Sequence, residues 1–153
     1  MMTAFEPIGS ADSDIVPLLI GISKSMRALH GIKLAKLGFH NGQDELLLAA
    51  DARGITISAI ADQLSIRPST VSKMMDRLVA RGMVERIGDV RDARRTLVRI
   101  TPAGLKARSQ LLEARRELEE EFVRAFGRDQ CPAIAASLAE CQVHLTNRLN
   151  RLR

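Results

Sequence analysis

The sequence predicts a mainly α chain with a small β-wing: a winged helix-turn-helix flanked by N- and C-terminal dimerisation helices. Three observations lead there. Pro68 and Gly82 bracket an amphipathic helical stretch. A loop holding Arg91, Arg94 and Arg95 joins two short strand-like runs. Long apolar stripes at helical spacing lie on both sides of this central segment.

The central segment runs from Ile55 to Gly104. A short extended piece, Ile55 to Ile57, precedes a helix from Ser58 to Leu64 and a turn through Ser65, Ile66 and Arg67. A second helix begins at Pro68, whose missing N–H costs nothing in a first turn. It stops at Gly82, where a left-handed residue is wanted. At 100° per residue, Val71, Met74, Met75 and Leu78 share one face, and Ser69, Lys73, Asp76 and Arg77 share the other. The second face shows hydroxyls and cations, as a helix in a major groove does. An ordinary surface helix has the same pattern. Two strands follow, Val84 to Ile87 and Thr96 to Ile100.

The loop between those strands separates the two readings. Glycine and aspartate alone suffice to close a hairpin tip. This loop instead holds three arginines within five residues, interleaved with Asp89 and Asp92. Arginine enters a narrow, electronegative minor groove. A neighbouring carboxylate is expected to hold such an arginine in one rotamer. A solvated hairpin with local ion pairs is the simpler alternative, and such pairs are worth little. The helix-turn-helix directly upstream favours the DNA reading.

Taken together, these residues resemble the MarR family of bacterial winged-helix regulators. The resemblance is carried by Ile60-Ala61 and Leu64, Pro68-Ser69-Thr70-Val71-Ser72, Asp76-Arg77-Leu78 and Arg81-Gly82. It continues through Asp89-x-Arg91-Asp92-x-Arg94 and the exit Ile100-Thr101-x-x-Gly104. Each piece alone is weak, but their shared order and spacing are specific. The resemblance implies a triangular helical dimer acting as a ligand-responsive repressor on a palindromic operator. It places the second helix in the major groove, with Pro68, Ser69, Thr70, Ser72, Lys73 and Arg77 at the DNA surface. It puts Arg94 in the minor groove, braced by Asp92, with Arg91 and Arg95 on the backbone. Asp89 is expected to shape the hairpin. The alternative is a non-specific or architectural winged-helix module for DNA binding or protein contacts.

Composition and charge agree with a duplex partner. A chain of 153 residues fits one domain or one domain with a helical extension. Hydrophobic residues reach 46%, too many for a disordered chain. Aromatics are only 3%, so the core must be aliphatic, and single-strand recognition by base stacking is disfavoured. The net charge is +5. Ser58 to Ile100 holds 9 Lys+Arg and 5 Asp+Glu, hence +4 of that excess. No unbroken apolar run approaches a membrane span, and no signal peptide is evident, so a cytoplasmic location is expected.

The flanks read as helices. Residues 1–13 are expected to form a flexible tail. Asp14 is placed to cap a helix over about 14–37, with Ile15, Leu19, Ile22, Met26 and Leu29 at helical spacing. Asn41 is placed to cap a buried helix from Gly42 to about Ala52, with Asp44 and Glu45 near its start. Thr101 caps a long helix over about 101–126, with Leu111, Leu118, Phe122 and Phe126 along one side. A last helix over about 129–150 carries Ile134, Leu138, Cys141, Leu145 and Leu149 as a stripe. The winged core is too small to cover these stripes, so a homodimer is expected. Two recognition helices would then read half-sites about 10 bp apart.

No cofactor, metal or catalytic centre is expected. A glycine-rich phosphate loop, a nucleophile elbow and an HExxH helix are all missing from the sequence. His30, His40 and His144 are scattered, without metal-ligand spacing. Cys131 and Cys141 form no disulfide framework, and a redox role for Cys131, beside Pro132 near a helix start, is left open. The resemblance implies an effector, aromatic or anionic, bound between dimer helices and winged domain. Ser23, Met26, Arg27, His30, Phe39 and His40 are the candidate lining, with packing and surface roles as the alternative.

Overall fold

The computed structural model describes residues 14–152, so the tail expected over 1–13 lies outside the described residues. The order is α1 (Ile15–Lys36), α2 (Gln43–Ala49), β1 (Ile55–Thr56), α3 (Ile57–Leu64), α4 (Pro68–Ala80), β2 (Val84–Gly88), β3 (Thr96–Ile100), α5 (Pro102–Phe126) and α6 (Cys131–Arg151). The strands form one antiparallel sheet ordered β1-β3-β2. Ile55 pairs with Val98 and Val84 with Ile100, which closes β2 and β3 as the wing hairpin. Glu85 and Arg99 face each other across that hairpin and their side chains pair at 2.9 Å.

The core is aliphatic, as the composition requires. Ile60 and Ala61 of α3 are buried with Val71, Met75 and Leu78 of α4, and Leu64 packs partly buried against them. Leu46 and Leu47 of α2, Val84 and Val98 of the wing, and Ala107 and Leu111 of α5 complete the same cluster. Burying each large side chain contributes about 1.5–3 kcal/mol.

The helix ends differ from expectation at four places. Asp14 occupies the cap position of α1, but its side chain accepts no capping hydrogen bond; its carbonyl accepts the Leu18 N–H. Asn41 does not cap α2. Its side-chain amide donates to the Arg27 carbonyl at 3.3 Å, and Gly42 takes the cap position in a left-handed conformation. The helix also ends at Ala49, because Ala50 is extended and Asp51 bridges to Arg99. Thr56 caps α3 by accepting the Ala59 N–H, so that helix starts one residue before Ser58.

Other ends follow the sequence. The close of α4 is a reciprocal pair of backbone bonds, Gly82 N–H to Val79 and Met83 N–H to Leu78, with Gly82 at φ +68°. Thr101 caps α5 through the Gly104 N–H at 3.1 Å. Its backbone N–H also donates to the Met83 carbonyl at 3.1 Å, which ties α5 to the α4–β2 turn.

The terminal helices stand apart from this core. Among the described residues, Leu34 is the one buried residue of α1, and α6 buries none. Ile15, Val16, Leu18, Ile20, Ile22 and Leu29 are each about half exposed or more. Polar residues break this stretch, so it holds no continuous apolar run. As a helix it is 22 residues long and reaches a mean hydropathy of 1.2, enough by length and composition to cross a membrane. Its C-terminal end is instead tied to α5: Lys33 pairs with Glu117 and Glu121 at 2.9 and 3.1 Å. Those two carboxylates raise the Lys33 pKa above its ordinary value.

Candidate nucleic-acid interface

The α4 helix projects its polar face outward as its periodicity demands. Val71, Met75 and Leu78 are fully buried, whereas Pro68, Ser69, Thr70, Lys73, Asp76 and Arg77 are exposed. Ser72 and Thr70 flank this face, and Ser72 is half-buried. Asp76 is committed: it pairs with Arg86 of β2 and so joins the helix to the wing. Lys73 and Arg77 have no carboxylate partner among the described residues. Pro68 removes one N–H from the first turn and the Thr70 N–H donates to the Arg67 carbonyl, which leaves the Ser69 N–H to suit a phosphate.

The wing loop is shaped by its two aspartates. Asp89 accepts the Arg91 N–H at 2.9 Å and Asp92 accepts the Arg94 N–H at 3.0 Å. Two backbone bonds, Asp89 N–H to Arg95 and Arg95 N–H to Asp92, close the tip. This corrects the expected brace. Asp92 fixes the backbone of Arg94 rather than its guanidinium, because the carboxylate is already engaged two residues along the turn. Arg91, Arg94 and Arg95 are exposed and make no ion pair among the described residues. Three cations therefore stand on a backbone held in shape by carboxylates.

The segment from α2 into this wing, residues 46–96, matches the MarR family model. That match makes the winged segment of this chain similar to the MarR family. Its fold is shared along nearly the whole described length. The MarR crystal structure superposes with a TM-score of 0.72 at 25% identity, covering 92% of this chain and 99% of the other. The MepR–DNA complex of S. aureus gives 0.75 at 24% identity, covering 85% and 97%. A mutant MarR from E. coli in complex with operator DNA gives 0.73 at 23% identity, covering 86% and 99%. No curated protein matches the chain. Proteins of the MarR family are winged-helix transcriptional regulators, and the winged segment of this chain is similar to theirs.

The candidate effector residues separate into different environments. Arg27 and His30 line a groove of about 280 Å³ together with Asp44, Thr70 and Met74, so it opens between α1, α2 and α4. Phe39 is not part of that lining. It is 2% exposed in the core, and the Arg81 guanidinium stacks on its ring at 4.3 Å. Met26 faces a separate shallow hollow along α1 with Leu29. Ser23 and His40 are exposed and line neither hollow; the His40 N–H donates to Gln43. Cys131 donates its thiol to the Gly127 carbonyl at 3.1 Å, a local helix-start contact.

Three arginines connect the winged core to the long helices, a role the sequence reading gave to none of them. Arg81 donates to the Gly38 carbonyl at 2.8 Å. Arg108 of α5 donates to the Leu47 and Ala50 carbonyls at the end of α2. Arg115 of α5 pairs with Asp44 at 3.0 Å. Asp44 is 1% exposed, lies 3.4 Å from His30 and accepts the Gly42 N–H, so a buried carboxylate sits where α1, α2 and α5 meet. No periodicity signals contacts spanning 43 to 71 residues.

Proposed function

We propose that this chain is a transcriptional regulator that binds duplex DNA sequence-specifically as a homodimer on a palindromic operator and acts as an effector-responsive repressor in the cytoplasm. The observation that carries the reading is the pairing of two cationic surfaces. The outward face of α4 shows Ser69, Lys73 and Arg77, and the wing holds Arg91, Arg94 and Arg95 on a carboxylate-shaped loop. In this reading α4 enters the major groove and Arg94 the minor groove, with Arg91 and Arg95 on phosphates. The DNA in the MepR and MarR complexes supports it. Competition between the DNA upstream of the coding sequence and random duplex tests it. A specific regulator prefers its site by about 10³-fold or more.

Dimerisation is supported by the uncovered apolar faces. The exposed side chains include Ile15, Ile20 and Ile22 of α1 and Leu138, Leu145 and Leu149 of α6. A second copy would bury both stripes, and exposed patches of this extent are unusual on a monomer. Sedimentation at micromolar concentration is expected to give twice 16.8 kDa, and a single species at 16.8 kDa would remove the dimer.

The groove between α1, α2 and α4 is the proposed effector site. A carboxylate ligand would meet Arg27 and His30 at its mouth, next to Thr70 and Met74 of the DNA-reading helix. Aromatic carboxylates are expected to raise the melting temperature; a panel that leaves it unchanged would count against the site.

A further inference from the structure

A second cationic surface lies away from α4, between the base of the wing and the start of α3. Here Arg53, Arg91 and Arg95 converge on a groove of about 550 Å³ floored by Ile87 and Leu97. Asp89 is the one carboxylate in its lining, and it is turned onto the Arg91 N–H. Asp51, just outside, accepts the backbone N–H of Arg53. None of the three guanidinium groups makes an ion pair or hydrogen bond to protein among the described residues. Three like charges facing one groove repel each other, and an anion between them turns that repulsion into attraction.

The backbone brings Arg53 to this place. Gly54 has φ +99°, a conformation a side chain would strain. A Cβ there would also meet Leu97 at 3.1 Å and Ile87 at 3.2 Å. The chain therefore turns tightly against the wing before entering β1, and Arg53 emerges opposite Arg91 and Arg95. The groove is open to solvent and continuous with the wing loop, which suits one link of a polymer better than an enclosed small ion.

We propose that this groove seats a backbone phosphate of the bound duplex, with Arg53 as its principal added ligand. The inference rests on the DNA-binding reading above and extends the footprint beyond α4 and the wing tip. Guanidinium matches phosphate geometry in a bidentate pair. Such a contact sets affinity and register and carries no base preference.

The test is the salt dependence of binding by the full chain, comparing wild type with Arg53→Gln and Arg53→Lys. Each lost phosphate contact lowers the slope of log K against log salt by about 0.9; a dimer loses two, so the slope falls by about 1.8 and the affinity by roughly 30-fold at 0.15 M salt. Arg53→Gln is expected to show that loss equally on upstream DNA and random duplex, and Arg53→Lys to recover most of it. An Arg53→Gln slope and affinity equal to wild type, under conditions where Lys73→Ala weakens binding, would overturn the proposal. A wild type that binds no duplex would overturn the DNA-binding reading beneath it.

Discussion

Replacing Arg94 by alanine is expected to weaken binding to the preferred DNA about 100-fold or more, while leaving assembly and melting temperature unchanged. Arg94 is exposed and its guanidinium makes no hydrogen bond or ion pair among the described residues, so the folded chain loses nothing when it is shortened. In the complex, each wing would lose an arginine contact of about 1–3 kcal/mol, and a dimer would lose two. The aspartates bond to backbone N–H groups, so the loop keeps its shape in the variant. Asp92 thus prepares the position of Arg94 without neutralising it, and the charge stays available to DNA. Affinity of the variant equal to wild type, measured by fluorescence anisotropy at fixed salt, would remove Arg94 from the interface.

The second large effect is on stability. Gly104 lies in the first turn of α5, where a Cβ would stand 2.0 Å from the Met83 carbonyl oxygen and 2.7 Å from Ile100. That carbonyl accepts the Thr101 N–H, and the Thr101 hydroxyl caps Gly104 itself. The turn and the helix start cannot separate without breaking these bonds. Gly104→Ala is expected to cost about 3 kcal/mol, at the upper end for overpacking. Thermal unfolding would then shift down by roughly 6–12 °C. The sign is informative. On helix propensity alone, alanine would stabilise this position by about 1 kcal/mol. A variant as stable as wild type would mean that the close approach of α5 to the turn is not maintained in solution.

Gly104 also shows what could be read without coordinates. The exit Ile100-Thr101-x-x-Gly104 was legible as a pattern, and Thr101 and Pro102 announced the start of α5 correctly. The reason for the glycine was not legible, because it depends on a carbonyl twenty-one residues upstream. The same divide runs through the site. Periodicity placed Ser69, Lys73 and Arg77 opposite Val71, Met75 and Leu78, since helix geometry alone decides it. Proximity in sequence suggested that Asp92 holds the Arg94 side chain, but turn chemistry took the carboxylate for the backbone.

Misreadings cluster where a distant partner decides the outcome. Asn41 had the right side chain for a cap, yet the Arg27 carbonyl took its amide. Phe39, next to exposed His40, looked available to a ligand. Its ring is instead enclosed in the core and covered by Arg81, forty-two residues away. Arg108 and Arg115 look like ordinary charges on a long solvated helix. They are the links that fix α5 to α2, and no local pattern distinguishes them from Arg116, which pairs only within its own helix. These links join the longest helix to the winged core.

In the proposed function α4 and the wing together read a DNA sequence. Its most direct test is an equilibrium titration of the purified full chain with labelled upstream DNA, competed by random duplex at one fixed salt concentration. Random duplex is expected to displace the upstream DNA only at about 10³-fold or greater excess, with a binding curve that reports two chains per site. Displacement at equal concentrations by random duplex, with DNA from a genome-wide selection of bound fragments competing no better, would contradict it and leave a non-specific winged-helix coat.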